Sequence, residues 1–226
     1  ESVSNEAYYS ILAVKEDRTR EVIAIINHPT EGSHNWRAIF EGLKERGLAR
    51  VGLVVCDGLA GIEHAITAVF DRAEIQLCTV HLSRNIQSKV KPEDKALVAT
   101  ELKKVLNPEM QDDNPTKGFE RFTAFITNWV KKYPSLKAYL QPRSRLYFTY
   151  LGFDVQVRRM IYTTNWIERL NRNYKRKLRM RSAKPSAESV LFLLASVAMR
   201  RKQYTFPIHQ FSFESKLFHN FEKEKQ

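Results

Sequence analysis

Two acids and a cysteine–histidine pair are the residues of this 226-residue chain whose types and placing can do chemistry. Asp57 closes the apolar run Val51 to Cys56 and is followed by Gly58. Such a run reads as a strand covered on both faces, and an acid at its carboxyl end faces the edge where α/β sheets hold ligands. Gly58 permits a sharp turn and a close ligand approach. Asp57 can equally cap the helix that follows. Glu168 is the single acid between Arg158 and Lys184, a segment with ten basic residues. Its neighbours attract phosphate, and a carboxylate among them can hold a hard metal ion. It also fits the third position of a helix capped by Asn165, a capping-box arrangement. Cys78-Thr79-Val80-His81 sets a thiol and an imidazole at a strand-to-helix junction. Zinc needs three or four ligands, yet no matching CxxC or HxxxH pair exists and only Cys56 offers a third. A buried cysteine beside a hydrogen-bonded or DNA-contacting histidine is the plainer reading.

The elements that must position these groups follow from periodicity. Tyr8–Val14 and Glu21–Asn27 read as strands joined by a polar link suited to a hairpin. A helix capped by Ser33 or Asn35 runs to about Arg46, with Trp36, Ile39, Phe40 and Leu43 on one face and Gly47 as its stop. Val51–Cys56 is a strand, residues 59–70 a helix, and Glu74–Cys78 a strand followed by a helix starting near His81. This alternation predicts an α/β sheet of mixed direction. From residue 92 to about 150 the strand signals stop. Helices are expected over 93–106, 117–132 and roughly 144–150, punctuated by prolines. A further helix starts near Asn165 with Trp166, Leu170, Tyr174 and Leu178 as its apolar stripe. Glu168 shares the opposite side with Arg172, Lys175 and Arg179. Another helix spans 186 to about 203. The resulting organisation is a core over 1–91, a helical insertion over 92–157, final core helices over 158–204 and a tail over 205–226.

Composition narrows the function classes. Hydrophobic residues at 43% provide a core and argue against disorder. A net charge of +12, of which the segment around Glu168 contributes +9, favours a polyanionic partner. Two cysteines exclude a disulfide framework and suit a reducing compartment. The longest apolar run, Val190–Met199, is short of the roughly 18 residues of a membrane span, and the first residues show no signal-peptide pattern. Neither GxGxxG nor GxxxxGK[ST] occurs, which argues against a nucleotide cofactor.

Asp57-Gly58-Leu59-Ala60-Gly61, followed by Cys78-x-x-His81-Leu82-x-Arg84-Asn85, resembles the central motif of mutator-type transposases of bacterial insertion sequences. So does Ile161-Tyr162-Thr163-Thr164-Asn165-x-Ile167-Glu168-x-x-Asn171, and the likeness covers essentially the whole chain. Smaller residues than Trp166 and Arg169 are expected beside the glutamate. The resemblance implies a ribonuclease H-like fold with an all-helical insertion before the last catalytic helix. It also implies a DDE site, in which two aspartates and a glutamate hold Mg²⁺ (or Mn²⁺) for DNA cleavage and strand transfer. By position Asp57 is the second acid and Glu168 the third, both catalytic and metal-holding. Cys78, His81 and Arg84 are implied to contact DNA near the cleavage point. Arg169, Arg172, Lys175, Arg176, Arg179 and Arg181 would grip the transposon end.

The implied partners are terminal inverted repeats and target DNA, with a homodimer or larger assembly bringing two ends together. The implied setting is the bacterial cytoplasm, at the nucleoid when on DNA. The family's first aspartate lies on an opening strand ahead of Ser2-Val3-Ser4-Asn5. The expectation is therefore a truncated copy, lacking that acid and a DNA-end-binding domain and inactive alone. A non-catalytic DNA-binding relic or domesticated module is the alternative.

Overall fold

The structure is a computed structural model, and it describes residues 7–15, 17–28, 36–111, 113–179 and 186–199. The first apolar segments fold into the expected hairpin. β1 (Ala7–Val14) runs antiparallel to β2 (Arg20–His28), from Ala7 opposite His28 to Val14 opposite Arg20. The register slips between Ile11 and Leu12, a bulge that turns the strand. Asp17 braces the link by accepting from the Thr19 backbone N–H at 2.9 Å.

α1 (Trp36–Glu45) buries Phe40 and Leu43 and ends at Gly47. Gly47 takes φ 105°, and Leu48 N–H returns to the Leu43 carbonyl at 3.0 Å. That is the left-handed stop a glycine supplies. The proposed caps Ser33 and Asn35 lie outside the described residues. β3 (Leu53–Cys56) and β4 (Glu74–Leu77) pair in parallel, with Leu53 opposite Glu74 and Cys56 opposite Leu77. α2 (Ile62–Val69) makes the crossover, and α3 (Thr79–Ser88) leaves the end of β4. α4 (Pro92–Val105) and α5 (Pro115–Val130) each start on proline, where a missing N–H costs nothing. Three 3₁₀ segments follow, Pro134–Tyr139, Pro142–Tyr147 and Thr149–Gly152, then α6 (Val155–Ile161). α7 (Asn165–Arg179) and α8 (Ala187–Met199) complete the described elements.

The architecture is mixed α/β, with three corrections to the sequence reading. In place of one sheet of mixed direction, the described strands form two two-stranded sheets, one antiparallel and one parallel. The parallel ladder is four residues deep, and no described strand pairs with its outer edges. The helix expected from residue 59 starts at Ile62 because Gly58 (φ 68°) and Gly61 (φ 79°) are both left-handed and hold 57–61 as a loop. The helix expected near 144–150 is instead 3₁₀ turns. α6 has only seven residues, too few for a helical period to be legible.

The chain divides into two compact units. One contains β1, β2, α7 and α8. Its core is Leu170, Tyr174, Val190, Leu194 and Val197, packed against Tyr8, Leu12, Val22, Ile25 and Leu178. The other contains the elements from α1 to α6. There Ile66, Leu77, Leu82 and Ile86 are fully buried around the parallel strands, and Phe122, Ile126, Phe148 and Leu151 in the helical part. Gly118 on α5 is set by this packing: a Cβ there meets the Phe148 ring at 2.7 Å and also Leu151. Gly118→Ala is therefore expected to destabilise the unit by about 1–3 kcal/mol, the usual cost of overpacking, read as a lowered thermal midpoint. Replacement of Gly42, where the added carbon touches nothing, is the control.

Candidate active site

Asp57 is the first residue beyond β3, exposed on a loop whose shape is held from two sides. The ladder fixes the base, since Cys78 N–H donates to the Cys56 carbonyl at 2.8 Å. From the helical segment Arg143 donates to the Gly58 carbonyl through Nη2 at 3.0 Å and to the Glu63 carboxylate through Nε at 3.0 Å. A Cβ on Gly58 would stand 3.0 Å from that Nη2, at a φ that side chains rarely adopt. Asp57 caps nothing: the residue ahead of α2 is Gly61, and no side chain caps that helix. The carboxylate is therefore left facing solvent at the strand's carboxyl end.

Cys78 is the extended residue that starts α3, with φ −63° and ψ 118°. It is 1% exposed. Its Sγ accepts from Thr164 twice, from N–H at 3.4 Å and from Oγ1 at 3.3 Å. The preceding turn docks alongside, since Thr79 N–H and Oγ1 both donate to the Tyr162 carbonyl, at 3.1 and 2.9 Å. His81 follows three residues into α3, and its Nδ1 lies 3.2 Å from Asp57 Oδ1. The approach is off the line of a hydrogen bond, so Nδ1 is enclosed without a hydrogen-bond partner. Asp57, Cys78 and His81 thus converge, with one donor atom from each within 4.8 Å of the others. Cys56, the third zinc ligand that the sequence offers, is not in this group; Asp57 takes that place. Both thiols are free, and burial pushes that of Cys56 up to about 11. For a hard ion such as Mg²⁺, the group fits through its carboxylate; sulfur and imidazole are softer donors.

Glu168 stands in the first turn of α7, half-buried, with Leu170 and Tyr174 turned into the core. Trp166 of the expected stripe is half-buried beneath the Arg20 guanidinium, 5.2 Å from its ring centre. Arg169, Arg172, Lys175, Arg176 and Arg179 are all exposed. At 100° per residue, Lys175 and Arg179 flank Glu168 on the helix circumference. Arg84 is exposed on α3, and Arg181 lies outside the described residues.

The basic segment needs one correction. Arg158 is 5% exposed and donates to four carbonyls: Phe153 at 2.7 Å, Met110 at 2.7 Å, Leu151 at 3.0 Å and Asp113 at 3.4 Å. Arg159 pairs with Glu109. The Arg158 charge therefore serves the protein's own packing, while Arg159 stays exposed in an ion pair; the other described cations of the segment stand on α7. Sequence reasoning also missed Arg143 and Thr164. Arg143 acts across a separation of 85 residues that no local pattern encodes. Thr164 sits inside the second motif, buried at 7% in an otherwise polar Thr163-Thr164-Asn165 turn, and that place in the motif is the one signal the sequence holds for it.

A family model described as Transposase, Mutator family matches residues 1–206. The transposase for insertion sequence element IS905 of Lactococcus lactis is 30% identical over 189 residues, covering 84% of this chain and 47% of its own length. The probable transposase for the ISRM3-like element of Sinorhizobium fredii is 34% identical over 193 residues, covering 85% and 47%. A third, the transposase for element IS1201 of Lactobacillus helveticus, is 30% identical over 199 residues, covering 88% and 53%. The chain spans about half the length of these curated relatives.

Proposed function

Because the chain belongs to the Mutator family of transposases, we propose that it carries catalytic and DNA-gripping parts of an enzyme that cuts and joins DNA at transposon ends. The observation that carries this reading is α7, where a half-buried Glu168 rises between exposed cations on a helix otherwise anchored by Leu170 and Tyr174. A surface of that kind holds a phosphate backbone beside a carboxylate. Asp57 and Glu168 are the two acids we assign to a DDE site of ribonuclease H-like type. A divalent metal held by such carboxylates would supply Lewis-acid stabilisation of the attacking and leaving oxygens. Asp57 offers its oxygens to that ion from a loop braced by Arg143. Arg172, Lys175, Arg176 and Arg179 on α7 are assigned to hold phosphates, and Arg84 and His81 on α3 are assigned to DNA contact. Mg²⁺ and Mn²⁺ suit the oxygen donors. Two copies of the protein, one per transposon end, are the assembly this chemistry calls for. None of the described helices is long and apolar enough to cross a membrane.

The test is salt-dependent binding of the full-length protein to terminal-repeat duplex. Neutralising Arg172, Lys175 and Arg179 to Gln should weaken binding and reduce the slope of log affinity against log salt by about 0.9 for each phosphate that is no longer neutralised. An unchanged slope removes α7 from the DNA surface. Binding without cleavage under any metal condition favours the DNA-binding-module reading instead.

A further inference from the structure

We propose that Asp57, Cys78 and His81 form a binding site for a thiophilic divalent cation of the zinc class. The site needs no transposase activity and stands or falls apart from that reading.

Three observations carry it. The donor set is mixed, with one carboxylate oxygen, one sulfur and one imidazole nitrogen within 4.8 Å of one another. Zinc accepts that combination readily, whereas an ion demanding oxygen ligands does not. Second, His81 Nδ1 is enclosed and has no hydrogen-bond partner, although it lies 3.2 Å from Asp57 Oδ1. Buried polar atoms are almost always satisfied, and a cation between the two groups would satisfy this one. Third, the ligands differ in access as an open tetrahedral site requires. Cys78 is closed off at 1% exposure, while the side chains of His81 and Asp57 keep 32% and 39%. An ion therefore enters from the solvent side, and water completes the fourth position.

The backbone is already suited to this. Cys78 and His81 are separated by one turn at the start of α3, and Asp57 is brought alongside by the end of the β3–β4 ladder. Zinc bonds of ~2.0–2.3 Å put tetrahedral ligands about 3.3–3.8 Å apart. Closing from the present spacing is a matter of side-chain rotation. On binding, the Cys78 thiol gives its proton to solvent and its sulfur bonds the metal. The two Thr164 donors remain directed at that sulfur and stabilise its charge. Occupancy also claims the Asp57 carboxylate, so a thiophilic ion and a hard catalytic ion compete for the same oxygen.

The experiment titrates the purified protein with Cd²⁺ and reads the ultraviolet thiolate-to-cadmium charge-transfer band, with Zn²⁺ as competitor. One Cd²⁺ per chain is expected. Cys78→Ser should abolish the band and Cys56→Ser should leave it. His81→Gln and Asp57→Asn, changed at accessible side chains, should weaken binding by at least about tenfold. Folded wild-type protein without a band overturns the proposal. So does a band that follows Cys56, or His81→Gln protein that binds as wild type. If Cys78→Ser fails to fold by circular dichroism, the His81→Gln result decides. Glu168→Gln should bind Cd²⁺ normally, so its cleavage phenotype judges the transposase reading separately.

Discussion

Asp57→Asn and Glu168→Gln are each expected to lower metal-dependent strand cleavage by about 10³-fold or more in the full-length protein, with end-DNA binding retained. An amide keeps the size of the carboxylate and removes its charge. The loss falls on metal affinity and on stabilisation of the oxygens that gain charge in the transition state. About 4 kcal/mol of lost stabilisation corresponds to that factor. Binding survives because the grip on DNA is assigned chiefly to Arg172, Lys175, Arg176 and Arg179, and removing the Glu168 charge from their helix only increases its positive charge. The comparison to make is single-turnover nicking of terminal-repeat DNA in Mg²⁺ and Mn²⁺, alongside affinity at matched salt. Full nicking by Glu168→Gln would remove that residue from the site.

Arg158→Met should produce the largest loss of stability of any basic residue in the segment that supplies most of the net charge. A methionine fills much of the volume, yet four carbonyls that now accept from one guanidinium lose their donor inside the helical unit. Each buried acceptor left without a donor costs about 1–3 kcal/mol, so the variant should lose about 3 kcal/mol or more, a fall of roughly 10 °C in the thermal midpoint for a chain of this size. Arg158→Lys should recover only part of this, because a compact ammonium cannot fan out to carbonyls on separate turns. Arg179→Gln, at an exposed position, should leave the midpoint within about 0.5 kcal/mol of wild type. An equal response of the two variants would contradict the buried carbonyl cage.

The contrast between those two arginines marks what the sequence can and cannot disclose. Both stand in the same basic run, and charge density alone treats them alike. Local periodicity separates the core side of α7 from its exposed side correctly, since Leu170 and Tyr174 are buried and the intervening cations are not. The hairpin, the parallel strands and the two proline-led helices are legible for the same reason: each is a local pattern of apolar spacing and turn residues. Long-range pairing is not. Nothing within a few residues of Arg143 signals Gly58, and nothing near Thr164 signals Cys78. The loop after Asp57 reads as helix because apolar spacing continues through it, while the left-handed backbone of its two glycines leaves no mark on that spacing. Cys78-x-x-His81 is visible as a pair, but its third donor is set by the β3–β4 ladder. Asp57 is therefore recognisable as an acid at a strand end without being connected to that pair.

The order in which these elements leave the ribosome has a consequence for folding. β1 and β2 emerge before the α1–α6 unit, yet the side chains that bury Tyr8, Leu12, Val22 and Ile25 belong to α7 and α8. Between them lies Ser33–Thr164 of the other unit. At ~5–20 residues per second its synthesis lasts roughly 7–26 s. During that interval the hairpin is without α7 and α8, while the elements α1 to α6 are already made. Of the described elements, the earliest made are the last to acquire their core, and a nascent chain stopped before Asn165 never acquires it.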